Sequence, residues 1–322
     1  MRHRIWPRPW RWPRRASTRA PPRRPSRRSS RSPTRDRDRS PGLLGQPRAR
    51  LRRPRPRHRP LRRGRVVGRT DPPDGASLAD ESHPATIAYR RAGGTGAIWL
   101  RSQLPMGRGL GYSGAVRVVG ATLGLLEREP SASIVGDAAH RSHPDALRLR
   151  AEVLTISAAL EGHGDNAAAS VYGSVVAVAD EVCVEVPLAL DPAIVVWVPD
   201  ATTGTDASRR TLPEQLSRDD AAFNVGRVAV LVAALGAGRI DALRVGAEDR
   251  MHQDHRLAHQ PRSAATLRAL LDAGAWSAWL SGSGPTVAAF AGREDADRLA
   301  AALPAEGRAM VLELDRHGVI WE

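Results

Sequence analysis

Residues 105–115 read Pro-Met-Gly-Arg-Gly-Leu-Gly-Tyr-Ser-Gly-Ala, and an apolar run at helical spacing follows: Ala115, Val116, Val119, Leu123 and Leu126. Three glycines in five residues (Gly107, Gly109, Gly111) let the backbone take positive φ and approach a ligand closely. Ser113 stands where a helix N-cap is expected, and the spacing predicts a helix over 113–127. A glycine-rich loop feeding a helix start offers free N–H groups and the positive end of the dipole, which together make an anion site. The dipole contributes only about 0.3–1 kcal/mol, so several N–H bonds must supply the rest. Taken alone, the pattern fits an ordinary turn before a capped helix better than a ligand loop.

Two further stretches change that balance. Residues 161–166 read Glu-Gly-His-Gly-Asp-Asn, between a helix expected over 144–160 and a short one expected from Asn166. Two carboxylates, an imidazole and an amide within six residues can hold Mg²⁺ through a carboxylate and orient a hydroxyl through the others. A polar interhelical turn, with Asp165 or Asn166 capping the next helix, would show the same residues. Residues 280–286 read Leu-Ser-Gly-Ser-Gly-Pro-Thr before the strand-like VAAF. Alternating Ser and Gly there form a backbone nest able to meet phosphate, or a tight connection that needs glycine for packing.

In this order, the three motifs resemble those of the GHMP kinases, and within them the homoserine kinase branch. GRGLGYSGA is similar to the family's phosphate loop PxxxGLGSSAA, EGHGDN to EGHPDN, and LSGSGPTVAAF to the third motif. VPD (198–200), RRTLP (209–213), AAFNVGR (221–227) and DRMHQDHR (249–256) have counterparts too, so the match runs from about residue 82 to the C-terminus. The sequence departs at Tyr112, where the family has the first of two serines, and at Gly164, where it has proline. The family's first motif, PASSANLGPGFD-like, has no counterpart, and an Arg/Pro tract stands in its place.

The resemblance implies ATP-dependent phosphorylation of the side-chain hydroxyl of L-homoserine, on the route to threonine, by a cytoplasmic enzyme. It implies ATP phosphates wrapped by Pro105, Gly107, Arg108, Gly109, Leu110, Gly111, Tyr112, Ser113 and Gly114. Ser113 and Glu161 would hold Mg²⁺. Asp165 would approach the substrate hydroxyl, with His163 and Asn166 positioning it. Arg209 and Arg256 would clamp the amino acid's carboxylate, for which a guanidinium fork is suited, and Ser281, Gly282, Ser283 and Gly284 would line the substrate side. A homodimer is left open. The rivals are another small-molecule GHMP kinase, an inactive truncated kinase, and a nucleic-acid-binding protein acting through its basic tail.

Composition supports the division of the chain. Residues 1–65 hold 25 arginines against Asp36 and Asp38, a charge of +23, while the other 257 residues carry −8. Like-charge repulsion and the lack of aliphatic periodicity predict disorder there. Trp6, Trp10 and Trp12 would serve as stacking groups if the tail met nucleic acid. GC-rich coding sequence read in a wrong frame gives the same composition, so another frame upstream of Val66 is expected to encode the missing motif. Lysine is absent from the chain, which excludes a Walker A loop, a protein kinase and Schiff-base chemistry. The lone Cys183 excludes disulfide scaffolds and CxxC centres. No apolar run is read as approaching a membrane span.

The expected architecture is α+β with two lobes, residues 66–200 and 201–322, the second ferredoxin-like. Thr86–Tyr89 and Ala97–Arg101 read as strands, 175–178 and 182–186 as a hairpin, and Ile194–Val198 as a buried strand. Helices are expected over 221–235, 240–250 and 264–273, the last stopped by Gly274, followed by strand 286–290, helix 294–303 and strand 309–314.

Overall fold

The computed structural model describes residues 49–51, 63–66, 75–102, 104–129, 143–179, 182–200 and 212–321. Two short strands fall within the Arg/Pro tract, β1 (Ala49–Leu51) and β2 (Arg63–Val66). The rest of that tract, including its expected disorder, lies outside the described residues.

The second lobe is a β-α-β-β-α-β unit. β7 (Ala193–Pro199) leads through helices α5 (Arg218–Ala237), α6 (Ile240–Gly246), α7 (Gln253–Ala258) and α8 (Pro261–Asp272) to β8 (Ser277–Leu280). Then come β9 (Val287–Ala291), α9 (Ala296–Ala301) and β10 (Gly307–Leu314). The antiparallel sheet runs β1-β10-β7-β9-β8, and its last four strands have the ferredoxin-like order. Every residue of β7 is buried, because helices cover both faces. Ile194, Val196 and Val198 meet Leu235 and Leu243 on one side, while Val195 meets Leu267, Leu270 and Leu299 on the other. A strand covered on both faces reads as one apolar run. The expected lobe boundary puts β7 at the end of the first lobe; its partners in register, β10 and β9, place it in the second sheet. β8 has no counterpart among the expected strands.

In the first lobe β4 (Ile98–Arg101) pairs with β2 on one side and with β3 (Ser77–Leu78) on the other, and β5 (Val176–Ala179) with β6 (Val182–Glu185) makes the expected hairpin. Helices α1 (Pro84–Arg91), α2 (Tyr112–Arg128), α3 (Pro144–Glu161) and α4 (Asp165–Tyr172) pack around it. Arg150 of α3 is buried and donates to the carbonyls of His317 and Val319, both at 2.9 Å, which draws the C-terminal residues and Trp321 into this core.

Thr86–Tyr89 is helix and not strand. Pro84 pre-sets φ at the first helical position, and the His83 ring accepts from the Ala85 N–H, two start signals that override the β-branched composition. The face carrying Ala85, Ala88 and Tyr89 then packs on α2 at Gly120 and Gly124. A methyl at Gly120 would sit 1.9 Å from the Ala85 carbonyl oxygen, and one at Gly124 2.5 Å from that of Tyr89. Gly120→Ala is therefore expected to force the helices apart at about 1–3 kcal/mol. Thermal unfolding followed by circular dichroism should show a Tm lower by roughly 2–4 °C per kcal/mol; an unchanged Tm would show that the close approach is dispensable.

α5 corrects another expectation. It is long and apolar enough to cross a membrane by length and composition, and most of it is not buried. Its polar groups are nevertheless engaged within the lobe: Asn224 Oδ1 accepts from the Arg250 N–H at 2.9 Å, and Arg227 pairs with Glu248 at 2.8 Å. The helix expected over 240–250 ends at Gly246, where a methyl would lie 2.7 Å from the Leu231 α-carbon.

Candidate active site

The glycine-rich loop enters α2 through Gly107, Gly109 and Gly111, at φ of 70°, 75° and 65°. Gly111 is the N-cap, and no side chain caps it. Ser113 is thus not the cap that the sequence suggested. Glycine's left-handed freedom lets the helix start two residues sooner, and Ser113 Oγ instead accepts from Arg117 one turn on. With glycine at the N-cap, no cap side chain occupies the first-turn N–H groups of α2, the arrangement that suits an anion site.

The three motifs meet at this loop. Ser281 Oγ donates to the Gly109 carbonyl at 2.8 Å, and a methyl on Gly109 would reach the Ser281 and Gly284 carbonyl oxygens at 2.2 and 2.8 Å. On the other side, positions 111 and 114 lie against the EGHGDN turn. A methyl on Gly114, where the family pattern has alanine, would lie 2.7 Å from Glu161 Oε2 and 3.0 Å from Asn166 Cβ. Arg108 reaches across to the Pro199 carbonyl at the end of β7, and Leu110 packs into the core beneath that sheet. Tyr112 donates to or accepts from His83 at 3.2 Å, and both line a cavity of about 200 Å³ with Leu78, Leu100, Leu104 and Met106. Burial, partly offset by Asp80, holds His83 below the usual imidazole range.

Within EGHGDN, Gly162 ends α3 in the left-handed region and Gly164 opens α4. His163 Nδ1 lies 2.6 Å from Asp165 Oδ1, which also accepts the Asn166 N–H at 2.7 Å. Burial raises the Asp165 carboxyl, but the hydrogen bond and charge of His163 with two backbone N–H groups outweigh it, so the net shift is downward. Glu161 is 6% exposed at its side chain and pairs with Arg117 at 3.0 Å. Its Oε2 is buried without a hydrogen-bond partner.

Behind the serine–glycine turn, Arg256 Nη1 lies 3.2 Å from His252 Nδ1 and donates to the Gly282 carbonyl at 3.5 Å. His252 Nε2 faces Asp249 at 3.0 Å, and Asp249 also accepts the His252 and Gln253 N–H groups. These partners outweigh burial and hold the Asp249 carboxyl well below the usual carboxylate range. Gln253 Oε1 accepts the Leu280 N–H at 2.7 Å, so α7 fixes the end of β8 that begins the turn. Arg209 lies outside the described residues.

Sequence reasoning missed Arg117, and gave no role to Asp249, His252 and Gln253 although they lie in the quoted stretch 249–256. Arg117 carried a signal, since four residues from Ser113 on a helix is one face. Its pairing with Glu161, across two helices, carried none.

A two-lobed α+β fold whose glycine-rich loop is pinned between a serine–glycine turn and an acidic interhelical turn defines the GHMP kinase class. The family model for the C-terminal part of GHMP kinases matches residues 231–309. A homoserine kinase from Thermus thermophilus is 35% identical over 225 residues, covering 68% of this chain and 71% of that protein. The homoserine kinase of Moorella thermoacetica is 36% identical over 225 residues, or 68% of each chain. The crystal structure of homoserine kinase from Cytophaga hutchinsonii superposes with a TM-score of 0.63 at 22% identity, covering 76% of this chain and 86% of that one. The chain belongs to the homoserine kinase family.

Proposed function

We propose that the chain transfers the γ-phosphoryl group of ATP to the side-chain hydroxyl of L-homoserine, giving ADP and O-phospho-L-homoserine on the threonine route. The observation that carries this reading is the junction at Gly109: Ser281 holds the loop carbonyl while Asn166 and Glu161 close the loop's other side. The glycine-rich loop, the acidic turn and the serine–glycine turn are thereby brought together.

In this reading the N–H groups of the Gly107–Ser113 segment cradle the phosphates, and the His83–Tyr112 cavity beside them takes the base. Mg²⁺ fits the donor set. Ser113 Oγ and the unpartnered Oε2 of Glu161 are hard oxygen ligands, and no group of three His, Cys, Asp or Glu that could hold an ion is present among the described residues. An ion held by one or two protein oxygens and completed by nucleotide phosphates is ordinary for Mg²⁺; when bound it would neutralise charge developing on the phosphoryl oxygens. Asp165, kept ionised by His163, accepts the hydrogen bond of the attacking hydroxyl and aims its oxygen along the transfer line. A cytoplasmic location fits a substrate of this kind.

The test is a screen of the purified chain with ATP and Mg²⁺ against L-homoserine, mevalonate, galactose and other alcohols, following ADP release. Phosphorylation of homoserine above the others is expected; turnover of a different alcohol with none of homoserine overturns the substrate. Arg256 supplies a second check. As the carboxylate clamp, its loss in Arg256→Ala removes a charge-assisted hydrogen bond of about 1.5–3 kcal/mol, roughly 10- to 100-fold. The expected result is a raised KM for homoserine with little change for ATP. Equal effects on both would show that Arg256 only braces Gly282.

A further inference from the structure

We propose that Arg117 is a positioning cation of the phosphate site, which shares Glu161 and Ser113 with the nucleotide's metal and holds nucleotide phosphates when metal is absent. The inference rests on the kinase reading above. Arg117 sits one helical turn beyond Ser113, and a single nitrogen, Nη1, donates to both Ser113 Oγ and Glu161 Oε1. The two side chains are 16% and 6% exposed, so this is no solvated surface pair.

The pair is also incomplete. Arg117 Nε is buried without an acceptor, and Glu161 Oε2 is buried without a donor. A desolvated ion pair that serves only to tie two helices repays its burial when the fork is bidentate and the remaining atoms are satisfied. Here one donor and one acceptor are left over at the same spot. Nucleotide phosphate supplies the acceptor that the guanidinium lacks, and a hard cation supplies the partner that the carboxylate oxygen lacks.

Charge leads to the same assignment. With no lysine in the chain, phosphate charge at this loop must be met by arginine, the helix dipole or metal. Arg108 of the same loop reaches away to the Pro199 carbonyl, whereas Arg117 lies between the two metal-ligand candidates. Gly114 gives the room: a methyl there would lie 2.7 Å from the same Oε2. One carboxylate balances one positive charge, so metal and guanidinium compete for Glu161: without metal the guanidinium is the cation that meets the phosphates, and with metal bound the ion takes over most of that charge.

The experiment is isothermal titration of the full chain with ADP, once in EDTA and once in excess MgCl₂, for the wild type, Arg117→Gln and Arg117→Lys. Circular dichroism reports folding of each. Arg117→Gln is expected to weaken metal-free ADP roughly 10- to 100-fold, the worth of a charge-assisted hydrogen bond, while Mg-ADP stays nearly as tight. Arg117→Lys shifts the ratio of the two affinities the same way by less, and decides the matter if the glutamine variant does not fold. An unchanged ratio, whether both affinities fall together or neither moves, overturns the proposal and leaves Arg117 a helix tie. A wild-type chain that binds ADP in neither buffer overturns the phosphate-site reading itself, and this proposal with it.

Discussion

Asp165→Asn should lower phosphoryl transfer by on the order of 10²-fold or more, within the range for removal of a positioned proton acceptor, while leaving nucleotide binding close to wild type. The expectation follows from where the carboxylate stands. It opens α4 at the turn that faces Gly111 and Gly114, and His163 and the Asn166 N–H fix its orientation. Asparagine keeps the size and one acceptor, but it loses the charge that His163 is placed to support. ADP release measured with saturating ATP and homoserine gives the turnover, and ADP titration gives the binding. A variant that turns over like the wild type would remove Asp165 from the reaction. The sign of the pH effect is set as well. The carboxyl's pKa is lowered by folding, so the stability it contributes is fully present above the unfolded value of about 3.9 and is lost as pH falls through the lowered folded value. Acid loss of activity at milder pH therefore belongs to other groups.

Much of this site could be read from the chain because each motif is local. The helical spacing after Gly111, Pro144 at the start of α3 and Gly274 after α8 are signals within one element, and α2, α3 and α8 begin or end within a few residues of them. What could not be read depends on partners distant in sequence. Thr86–Tyr89 has strand composition, and the start signals at His83 and Pro84 decide for helix together with its packing on Gly120 and Gly124, which is distant in sequence. β7 ends the residues assigned to the first lobe, yet its ladders to β9 and β10, whose partners lie 90 or more residues on, put it in the second sheet. The contact of Ser281 with Gly109 spans 172 positions; two glycine-rich stretches read separately each resemble an ordinary turn. Arg117 shows the boundary well, since its helical neighbour Ser113 was in view and Glu161 was not.

Gly109→Ala should abolish nucleotide binding and destabilise the chain together. At φ of 75° a residue with a Cβ is strained by about 1–2 kcal/mol, and the space is already filled. The methyl would meet the Ser281 carbonyl oxygen at 2.2 Å and that of Gly284 at 2.8 Å. Both are backbone atoms, so no flexible side chain can yield. Relief requires the loop to lift from the serine–glycine turn, which breaks the Ser281 Oγ bond to the Gly109 carbonyl and moves the N–H groups of the phosphate cradle. Overpacking of this kind adds about 1–3 kcal/mol. Gly107→Ala is the internal control: its φ of 70° carries similar strain, but nothing lies within 4 Å of the added methyl. The pair separates conformational strain from the lost junction. Thermal melting should fall further for Gly109→Ala than for Gly107→Ala, and ADP titration should show binding lost in the first and kept in the second. If both variants bind ADP equally well, the phosphate loop does not need its seat on the second lobe, and the meeting of the motifs at Gly109 is a packing contact without a part in binding.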